Sequence, residues 1–272
     1  GKLMDKDYDL VINYHPKRRT NSACFLAGIP LRVGYRNNKF GFLLNRSVID
    51  TRHLGEKHEA EYCLDLLQKI GVVSSDLTLE LAVNKEAEAW TDQFFARRNL
   101  AGRKLVAMHP DASCPTKCWP VKSFGELADR LASSLNVIPL IIGSLTARPQ
   151  VAVIGEQMHH DYFDLTGSLS LAQIVSLLRR CHLLVSNDSG PVHIAAAVGI
   201  PVISLFLRGQ PGINHIRWKP LGSKSVVLLN KPGEEIVLDK KGQVVGGKFD
   251  SISIEEVFVE AIRLLHSTPR AD

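Results

Sequence analysis

Several polar residues are crowded between two apolar segments in the run SNDSGPVHIAAAVGIPVISLF, residues 186–206. Six consecutive positions there hold an acid, a hydroxyl, a glycine, a proline and a histidine: Asp188, Ser189, Gly190, Pro191 and His193. A helix starting at Gly190 would direct free N–H groups and its dipole at an anion such as phosphate. Pro191 suits a first helical turn, Gly190 lets a ligand approach the backbone, and His193 can donate to the anion. The alternative is that Asp188 or Ser189 only caps the helix and His193 is a packed side chain.

A second polar segment, HPDASCPTKCWP at residues 109–120, also follows a strand-like run and precedes a helix-like one. Lys117 is a point charge suited to a phosphate, and Ser113 supplies a hydroxyl. The alternative for Lys117 is a solvated loop side chain. Cys114 and Cys118 do not predict a metal site, since a structural zinc needs four ligands and no second pair accompanies them. The chain has no GxGxxG, GxxxxGK[ST], HExxH or GxSxG motif, which argues against dinucleotide, P-loop, zincin and serine-hydrolase sites.

These segments need strands and helices to position them. From Lys104 onward, near-continuous apolar strands such as KLVAMHP, VIPLIIGS, HLLVSN and PVISLF alternate with helix-like segments. This alternation predicts a doubly wound α/β unit with a parallel sheet covered on both faces. Ligands of such sheets sit outside the carboxyl ends of the strands, where both polar segments fall. A polar helix over roughly residues 85–99 is the predicted link to an earlier α/β region.

Composition narrows the class of protein. The 272 residues are 45% hydrophobic with a net charge of +5, as in a globular protein that favours anionic small molecules over nucleic acid. The five scattered cysteines predict a reduced, cytoplasmic chain rather than a disulfide framework. No apolar run approaches the ~20 residues that span a bilayer, and no signal peptide opens the chain.

The run VSNDSGPVHIAAAVGIPVISLF, with HPDASCPTKCWP and LTGSLSLAQIVSLLRRC before it, resembles glycosyltransferase family 9, the heptosyltransferase group. The likeness extends from YDLVINYHPKRRT to the final helix. It implies the GT-B fold: α/β, with two Rossmann-like doubly wound parallel-sheet domains facing across a cleft, the N-terminal one incomplete. The expected domains are residues 1–84, a partial acceptor-side domain, and residues 85–272, a nucleotide-sugar-binding domain whose final helix is free to pack back on the first.

The resemblance implies a metal-independent, inverting enzyme that moves a heptose-type sugar from a nucleotide diphosphate sugar, ADP-heptose, to an anionic lipopolysaccharide core acceptor. No cofactor and no nucleic-acid partner are implied, and the location is cytoplasmic with at most peripheral contact at the inner face of the cytoplasmic membrane. By motif, Ser113 and Lys117 match the loop that holds the donor phosphates, with Lys117 as the catalytic residue that stabilises the leaving group. The segment that contacts the donor's sugar and diphosphate is matched by Asp188, Ser189, Gly190 and His193. Because phosphate repels a carboxylate, Asp188 is expected to bond sugar hydroxyls or to cap the helix.

The chain departs from the family pattern in three places. Family members begin with a strand and a loop bearing an aspartate thought to act as general base; this chain is expected to start after that region and to lack an assignable base. The family has an acidic residue after the strand matching VIPLIIGS, where this chain has LTARPQ. LRGQPG stands where a threonine-containing turn often follows PVISLF. Two alternatives stay open: a non-catalytic sugar-nucleotide-binding remnant, and a GT-B nucleotide-sugar epimerase, which would need a further acid/base set.

The N-terminal domain is expected to bind the acceptor. HPKRRT and RVGYRNNK place a set of basic side chains there: Lys17, Arg18, Arg19, Arg32, Arg36 and Lys39. Such a surface suits an acidic sugar or a phosphorylated lipid core. The alternative is a solvated basic face.

Overall fold

The computed structural model describes residues 3–231, 236–238, 244–247 and 251–267. The chain divides into two compact units, Gly1–Leu77 with Gln210–Trp218, and Thr78–Gly209 with Lys219–Asp272. This division differs from the expected one, because the first unit ends before residue 84 and a later segment belongs to it.

The first unit is built on a three-stranded parallel sheet of β1 (Leu10–Asn13), β2 (Leu31–Arg36) and β3 (Arg46–Ile49), in that order. Its helices include α1 (Arg18–Leu26), α2 (Glu59–Leu67) and a four-residue helix over His215–Trp218. Four side chains form its buried core: Val33, Tyr35, Tyr62 and Leu66. The runs YDLVINY, TNSACFLAG and HEAEYCLDLLQKIG predict β1, α1 and α2, whereas the sequence predicts neither β2 nor β3.

The segment Gln210–Trp218 joins the first unit through specific polar contacts. Arg217 Nε donates to Glu59 Oε2 at 2.7 Å, and Asn214 Nδ2 donates to the carbonyl oxygen of Gly55 at 3.1 Å. Gly55 has a φ of +65°, and a Cβ there would come within 2.5 Å of the Gly212 backbone nitrogen. Glycine is therefore required for this close approach.

The second unit contains a six-stranded sheet of parallel strands. These are β4 (Lys104–His109), β5 (Val137–Ile141), β6 (Phe163–Asp164), β7 (Leu183–Asn187), β8 (Val202–Phe206) and β9 (Ser225–Leu229). Their order across the sheet is β6-β5-β4-β7-β8-β9. Strands β5, β7 and β8 are buried along their whole length, because helices cover both faces. The predicted doubly wound parallel sheet is confirmed.

Helices pack on both faces of this sheet. They are α3 (Lys85–Arg98), α4 (Val121–Leu135), α5 (Arg148–Gly155), α6 (Leu171–Leu178), α7 (Gly190–Ala197) and a C-terminal helix (Ile254–Ser267). The spacing of Ser170 and Gln173, three residues apart, predicts a capping box at the start of α6. The structure contains it: Ser170 Oγ accepts from the Gln173 N–H, and Gln173 Oε1 accepts from the Ser170 N–H. An antiparallel hairpin pairs Ile236–Leu238 with Val244–Gly247. The sequence predicts a hairpin that turns at DKKG, residues 239–242, which lie outside the described residues.

One helix differs from its expected role. The helix predicted as a link between the domains, α3, is an integral part of the second unit: Phe95 is in its core, and Thr91 Oγ1 donates to Ser176 Oγ at 2.8 Å. The C-terminal helix also belongs to the second unit, where Val257 and Phe258 are buried in the core. In the described part of the chain, no helix is both long enough and apolar enough to cross a bilayer.

Candidate functional site

The strand order creates a switch point between β4 and β7. From β4 the chain moves outward to β5 and β6, then returns to β7 and moves outward the other way to β8 and β9. Ligands of doubly wound sheets bind in the crevice at the carboxyl ends of such a strand pair. His109 ends β4 and Asn187 ends β7, so both predicted polar segments begin at this point.

An ion pair joins the two segments. Lys117 Nζ lies 2.7 Å from Asp188 Oδ2 and donates to the Asp188 carbonyl oxygen at 3.3 Å. The side chains are 18% and 9% exposed, so water screens this contact less than it screens a surface pair. The pair holds the Lys117 ammonium just before the N-terminus of α7. The structure thus brings together two of the predicted site residues.

Ser189 is the N-cap residue of α7, but its hydroxyl makes no side-chain cap hydrogen bond to the helix. Ser189 Oγ instead lies 3.0 Å from Nδ1 of His109 and donates to the Asn187 carbonyl oxygen at 3.1 Å. The expectation that a serine hydroxyl here only caps the helix is therefore wrong. The start of α7 therefore has no side-chain cap from Ser189, although the Val192 N–H donates to the Ser189 carbonyl oxygen at 3.2 Å.

His109 is a site residue that sequence reasoning did not single out. Burial lowers the pKa of its imidazole to about 4, so the ring is neutral at neutral pH. A neutral ring beside Ser189 and Ser186 adds no charge under the helix N-terminus. The only feature of the sequence that pointed to His109 was its position as the last residue of an apolar strand.

Asn187 fixes the loop that carries Lys117. Its Oδ1 accepts from the Trp119 backbone N–H at 2.9 Å, and its Nδ2 donates to the Pro110 carbonyl oxygen at 2.7 Å. The Trp119 indole N–H donates to the Ile252 carbonyl oxygen at 2.8 Å. A single buried amide at the end of β7 therefore holds both ends of the loop after β4.

The remaining predicted residues lie on the same two segments. Gly190 is exposed, and a Cβ built on it would meet no atom within 4 Å, so nothing inside the chain requires a glycine there. Ser113 is exposed on the loop after β4, and His193 is half-buried at the end of the first turn of α7. The space over the start of α7 is open at Gly190.

A carboxylate lies at the end of β5, although the sequence after this strand contains none. Asp111, on the loop after β4, accepts from both the hydroxyl and the N–H of Ser144 at 2.5 and 3.2 Å. The structure thus places a carboxylate of the neighbouring loop beside the residues that follow β5.

A hydrogen bond and two positively charged side chains act on the thiol of Cys114. The pKa of its thiol is lowered by a hydrogen bond with Thr116, whose Oγ1 lies 3.0 Å from the sulfur, and by the charges of Arg208 and Lys117. Arg208 follows β8 and was not predicted as a site residue. Among the described residues, no three His, Cys, Asp or Glu side chains are grouped so that they could hold a metal ion.

Comparison with known proteins finds heptosyltransferases among the relatives of this chain. The chain is 27% identical over 219 residues to the lipopolysaccharide core heptosyltransferase OpsX of Haemophilus influenzae, covering 77% of this chain but 60% of OpsX. It is 28% identical to the lipooligosaccharide heptosyltransferase 2 of the same organism over 265 residues, covering 93% of this chain and 74% of that protein. The chain thus spans less than two thirds of the first of these relatives.

A solved structure described as Escherichia coli ADP-heptose lps heptosyltransferase II superposes with a TM-score of 0.74 at 23% identity, covering 98% of this chain and 79% of that one. This likeness shows the GT-B fold. The family Glycosyltransferase family 9 (heptosyltransferase) matches residues 1–244. The chain is therefore a member of glycosyltransferase family 9, the heptosyltransferase family.

Proposed function

We propose that this chain transfers a heptose from ADP-heptose to a lipopolysaccharide core acceptor, with inversion at the anomeric carbon and without a metal ion. The two Haemophilus relatives are named as heptosyltransferases of lipopolysaccharide or lipooligosaccharide. The observation that carries the proposal is the Lys117 ammonium beside the N-terminus of α7, at the switch point of the second unit.

The donor diphosphate is assigned to the N-terminus of α7. Gly190 leaves space for a phosphate against the backbone, and the helix dipole favours its charge. Lys117, Ser113 and His193 supply further donors on the same two segments. Positive groups fixed around a departing diphosphate stabilise the charge that develops as the glycosidic bond breaks.

The ion pair gives Asp188 and Lys117 separate roles once the donor is bound. A diphosphate that approaches Lys117 competes with the Asp188 carboxylate for the same ammonium. When Lys117 turns to the phosphate, the Asp188 carboxylate is released to accept hydrogen bonds from hydroxyls of the sugar. The carboxylate therefore loses its ion pair only when the donor is bound and its sugar hydroxyls can donate hydrogen bonds to the carboxylate.

We assign the acceptor to the first unit and the enzyme to the cytoplasm. The basic residues expected to meet an acidic acceptor lie in or beside α1 and β2, and they include Lys17, Arg19 and Arg36. An anionic lipopolysaccharide core complements this charge.

Replacement of Gly190 by alanine should reduce ADP affinity without loss of stability. The added methyl group meets no atom of the chain, but it occupies the space assigned to the phosphate. We expect roughly tenfold weaker ADP binding by calorimetry, the size of a modest steric clash, with an unchanged melting temperature. Unchanged ADP affinity would place the diphosphate elsewhere.

Replacement of Asp188 by asparagine should change the affinity for ADP and the affinity for ADP-heptose in different ways. Lys117 no longer has a carboxylate competing with the phosphate, so ADP should bind as tightly as before or up to roughly tenfold more tightly. ADP-heptose should lose its advantage over ADP, because an amide is a weaker acceptor for sugar hydroxyls than a carboxylate. Equal weakening of both ligands in calorimetry would contradict the sugar contact.

The transfer itself is tested with purified chain, ADP-heptose and a heptose-accepting lipopolysaccharide core, in the presence of a chelator. We expect one added heptose by mass spectrometry and an anomeric configuration opposite to that of the donor by NMR. A product that retains the donor's configuration would contradict inversion. Donor binding without transfer would favour the non-catalytic remnant, and a rearranged nucleotide sugar without acceptor would favour the epimerase.

A further inference from the structure

Arg208 is a half-buried cation just beyond the carboxyl end of β8. It follows Leu207, which is buried in the core, and Phe206, whose carbonyl oxygen accepts from the Asn230 N–H at 2.9 Å. These contacts fix the backbone from which the Arg208 side chain leaves. Arg208 lies in LRGQPG, where the family pattern has a threonine-containing turn. The resemblance to the family therefore assigns no role to this arginine.

The register of the sheet places Arg208 at the same edge as the start of α7. Strands β7 and β8 are parallel with Asn187 opposite Leu205, and the Asp188 N–H donates to the Leu205 carbonyl oxygen at 3.1 Å. The chain after β8 thus starts beside the chain after β7. Arg208 is three residues beyond Leu205, and Gly190 is three residues beyond Asn187. Both residues lie at the edge where ligands of doubly wound sheets bind.

The charge of Arg208 acts on the loop that carries Lys117. The pKa of the Cys114 thiol is lowered first by hydrogen bonds with Thr116, and then by the positive charges of Arg208 and Lys117. Within this loop, the Lys117 backbone N–H donates to the Cys114 carbonyl oxygen at 3.0 Å. Two cations from different segments, one after β4 and one after β8, therefore act on one thiol.

Arg208 has no counter-charge in the described part of the chain. Its Nε atom is buried and has no hydrogen-bond partner. Three other arginines of the second unit, by contrast, pair with carboxylates: Arg130, Arg179 and Arg180. Removing a cation from water without giving it a partner costs free energy, and a second cation on the neighbouring loop adds repulsion. An anionic ligand at this edge of the sheet would offset both costs.

We propose that Arg208 is a second cationic contact of the donor diphosphate, which lies between the Lys117 ammonium and the Arg208 guanidinium at the start of α7. This inference rests on the proposed function and adds a residue to its donor site. A guanidinium can give a phosphate two parallel hydrogen bonds, whereas an ammonium acts as a point charge. Two fixed cations also stabilise the charge that develops on a departing diphosphate better than one does.

ADP calorimetry on Arg208→Gln tests this inference. ADP should bind at least roughly tenfold more weakly, the loss expected for a charged hydrogen bond, while affinity for adenosine should change little. The melting temperature should not fall, because Nε has no partner that the substitution would leave unpaired. Arg208→Lys keeps the charge and should recover part of the lost affinity. A lysine variant that binds ADP no better than Arg208→Gln would contradict a contact through charge.

Arg103→Gln is the matched control. Arg103 is exposed and directly precedes β4, so it lies at the opposite, amino end of the sheet. Its loss changes the net charge by the same amount as Arg208→Gln. We expect ADP affinity within about twofold of wild type, because exposed charges are screened. An equal loss of ADP affinity in both variants would mean that only net charge matters and would overturn the inference.

Alkylation of Cys114 by iodoacetamide, followed by mass spectrometry of the peptide, gives a second readout that needs no bound donor. The reagent reacts with the thiolate, so Arg208→Gln should slow the reaction by roughly twofold or more at neutral pH, and Arg103→Gln should not. ADP should slow it in wild type, since phosphate charge offsets both cations. A wild-type rate in Arg208→Gln would place its guanidinium away from this loop and would overturn the inference.

Comparison with Lys117→Ala separates this inference from the donor site on which it rests. Loss of ADP affinity in Lys117→Ala without any loss in Arg208→Gln would overturn the role of Arg208 alone. Unchanged ADP affinity in both variants would overturn the donor site, and the role of Arg208 with it.

Discussion

Lys117→Ala should bind ADP roughly ten- to a hundredfold more weakly than wild type, the loss expected when a charged hydrogen bond of about 1.5–3 kcal/mol is removed. The Lys117 ammonium is held at the N-terminus of α7 by Asp188, where we place the diphosphate. Removing it also leaves the Asp188 carboxylate unpaired, which repels the diphosphate further. Affinity for adenosine, which carries no phosphate, should change little. Calorimetry with both ligands separates the two contributions.

Lys122→Ala is the control for this variant. Lys122 is an exposed lysine in the first turn of α4, so its loss changes the net charge by the same amount. We expect ADP affinity within about twofold of wild type, because exposed charges are screened. If Lys117→Ala and Lys122→Ala weaken ADP binding equally, Lys117 has no specific place in the donor site.

Asn187→Ala should lower the free energy of unfolding of the second unit by about 2–4 kcal/mol, because it leaves two buried backbone groups without a partner. These groups are the Trp119 N–H and the Pro110 carbonyl oxygen, at the two ends of the loop that carries Lys117. ADP affinity should fall as well, since the loop is no longer fixed at either end. Urea denaturation followed by tryptophan fluorescence measures the change in stability.

Asn84→Ala is the comparison for Asn187→Ala. Asn84 Oδ1 accepts from the Ala87 N–H at the start of α3, so this truncation removes one exposed cap that contributes about 1 kcal/mol. It should leave ADP affinity intact. A stability loss in Asn187→Ala no larger than that in Asn84→Ala would show that Asn187 does not hold the loop.

The second unit could be predicted well from the sequence because its strands are fully buried. Runs such as VIPLIIGS and HLLVSN are apolar throughout, and glycines, prolines and capping residues mark where helices start and stop. In the first unit, β2 carries Arg32, Gly34 and Arg36 within six residues, and β3 has only four residues. Such short, mixed strands are defined by their parallel partners more than by their own composition.

The prediction that α3 links the two domains was wrong for a related reason. Its charged residues suggested a solvated link, but the helix buries only a narrow side that includes Thr91 and Phe95. Ion pairs of Glu88 with Arg179 and of Asp92 with Arg180 connect its charged side to the end of α6. A helix with this charge content can therefore still be a packed layer of a domain.

The candidate site, like the fold, could be predicted from the sequence only in part. Local pattern sufficed to place Lys117 and Asp188 at the carboxyl edge of the sheet, but their 2.7 Å contact joins residues 71 positions apart. The roles of His109 and Asn187 likewise come from pairs of strands that are adjacent only in the fold. The attachment of Gln210–Trp218 to the first unit depends on the approach of Gly55 to Gly212, for which neither segment carries a local signal.

Calorimetry of the purified chain with ADP, GDP and UDP, and with their sugar conjugates, is the sharpest test of the proposed donor site. We expect a nucleoside diphosphate to bind through the second unit, ADP and ADP-heptose to bind best, and a chelator to leave their affinity unchanged. Failure of every one of these ligands to bind, or binding only in the presence of magnesium, would contradict it.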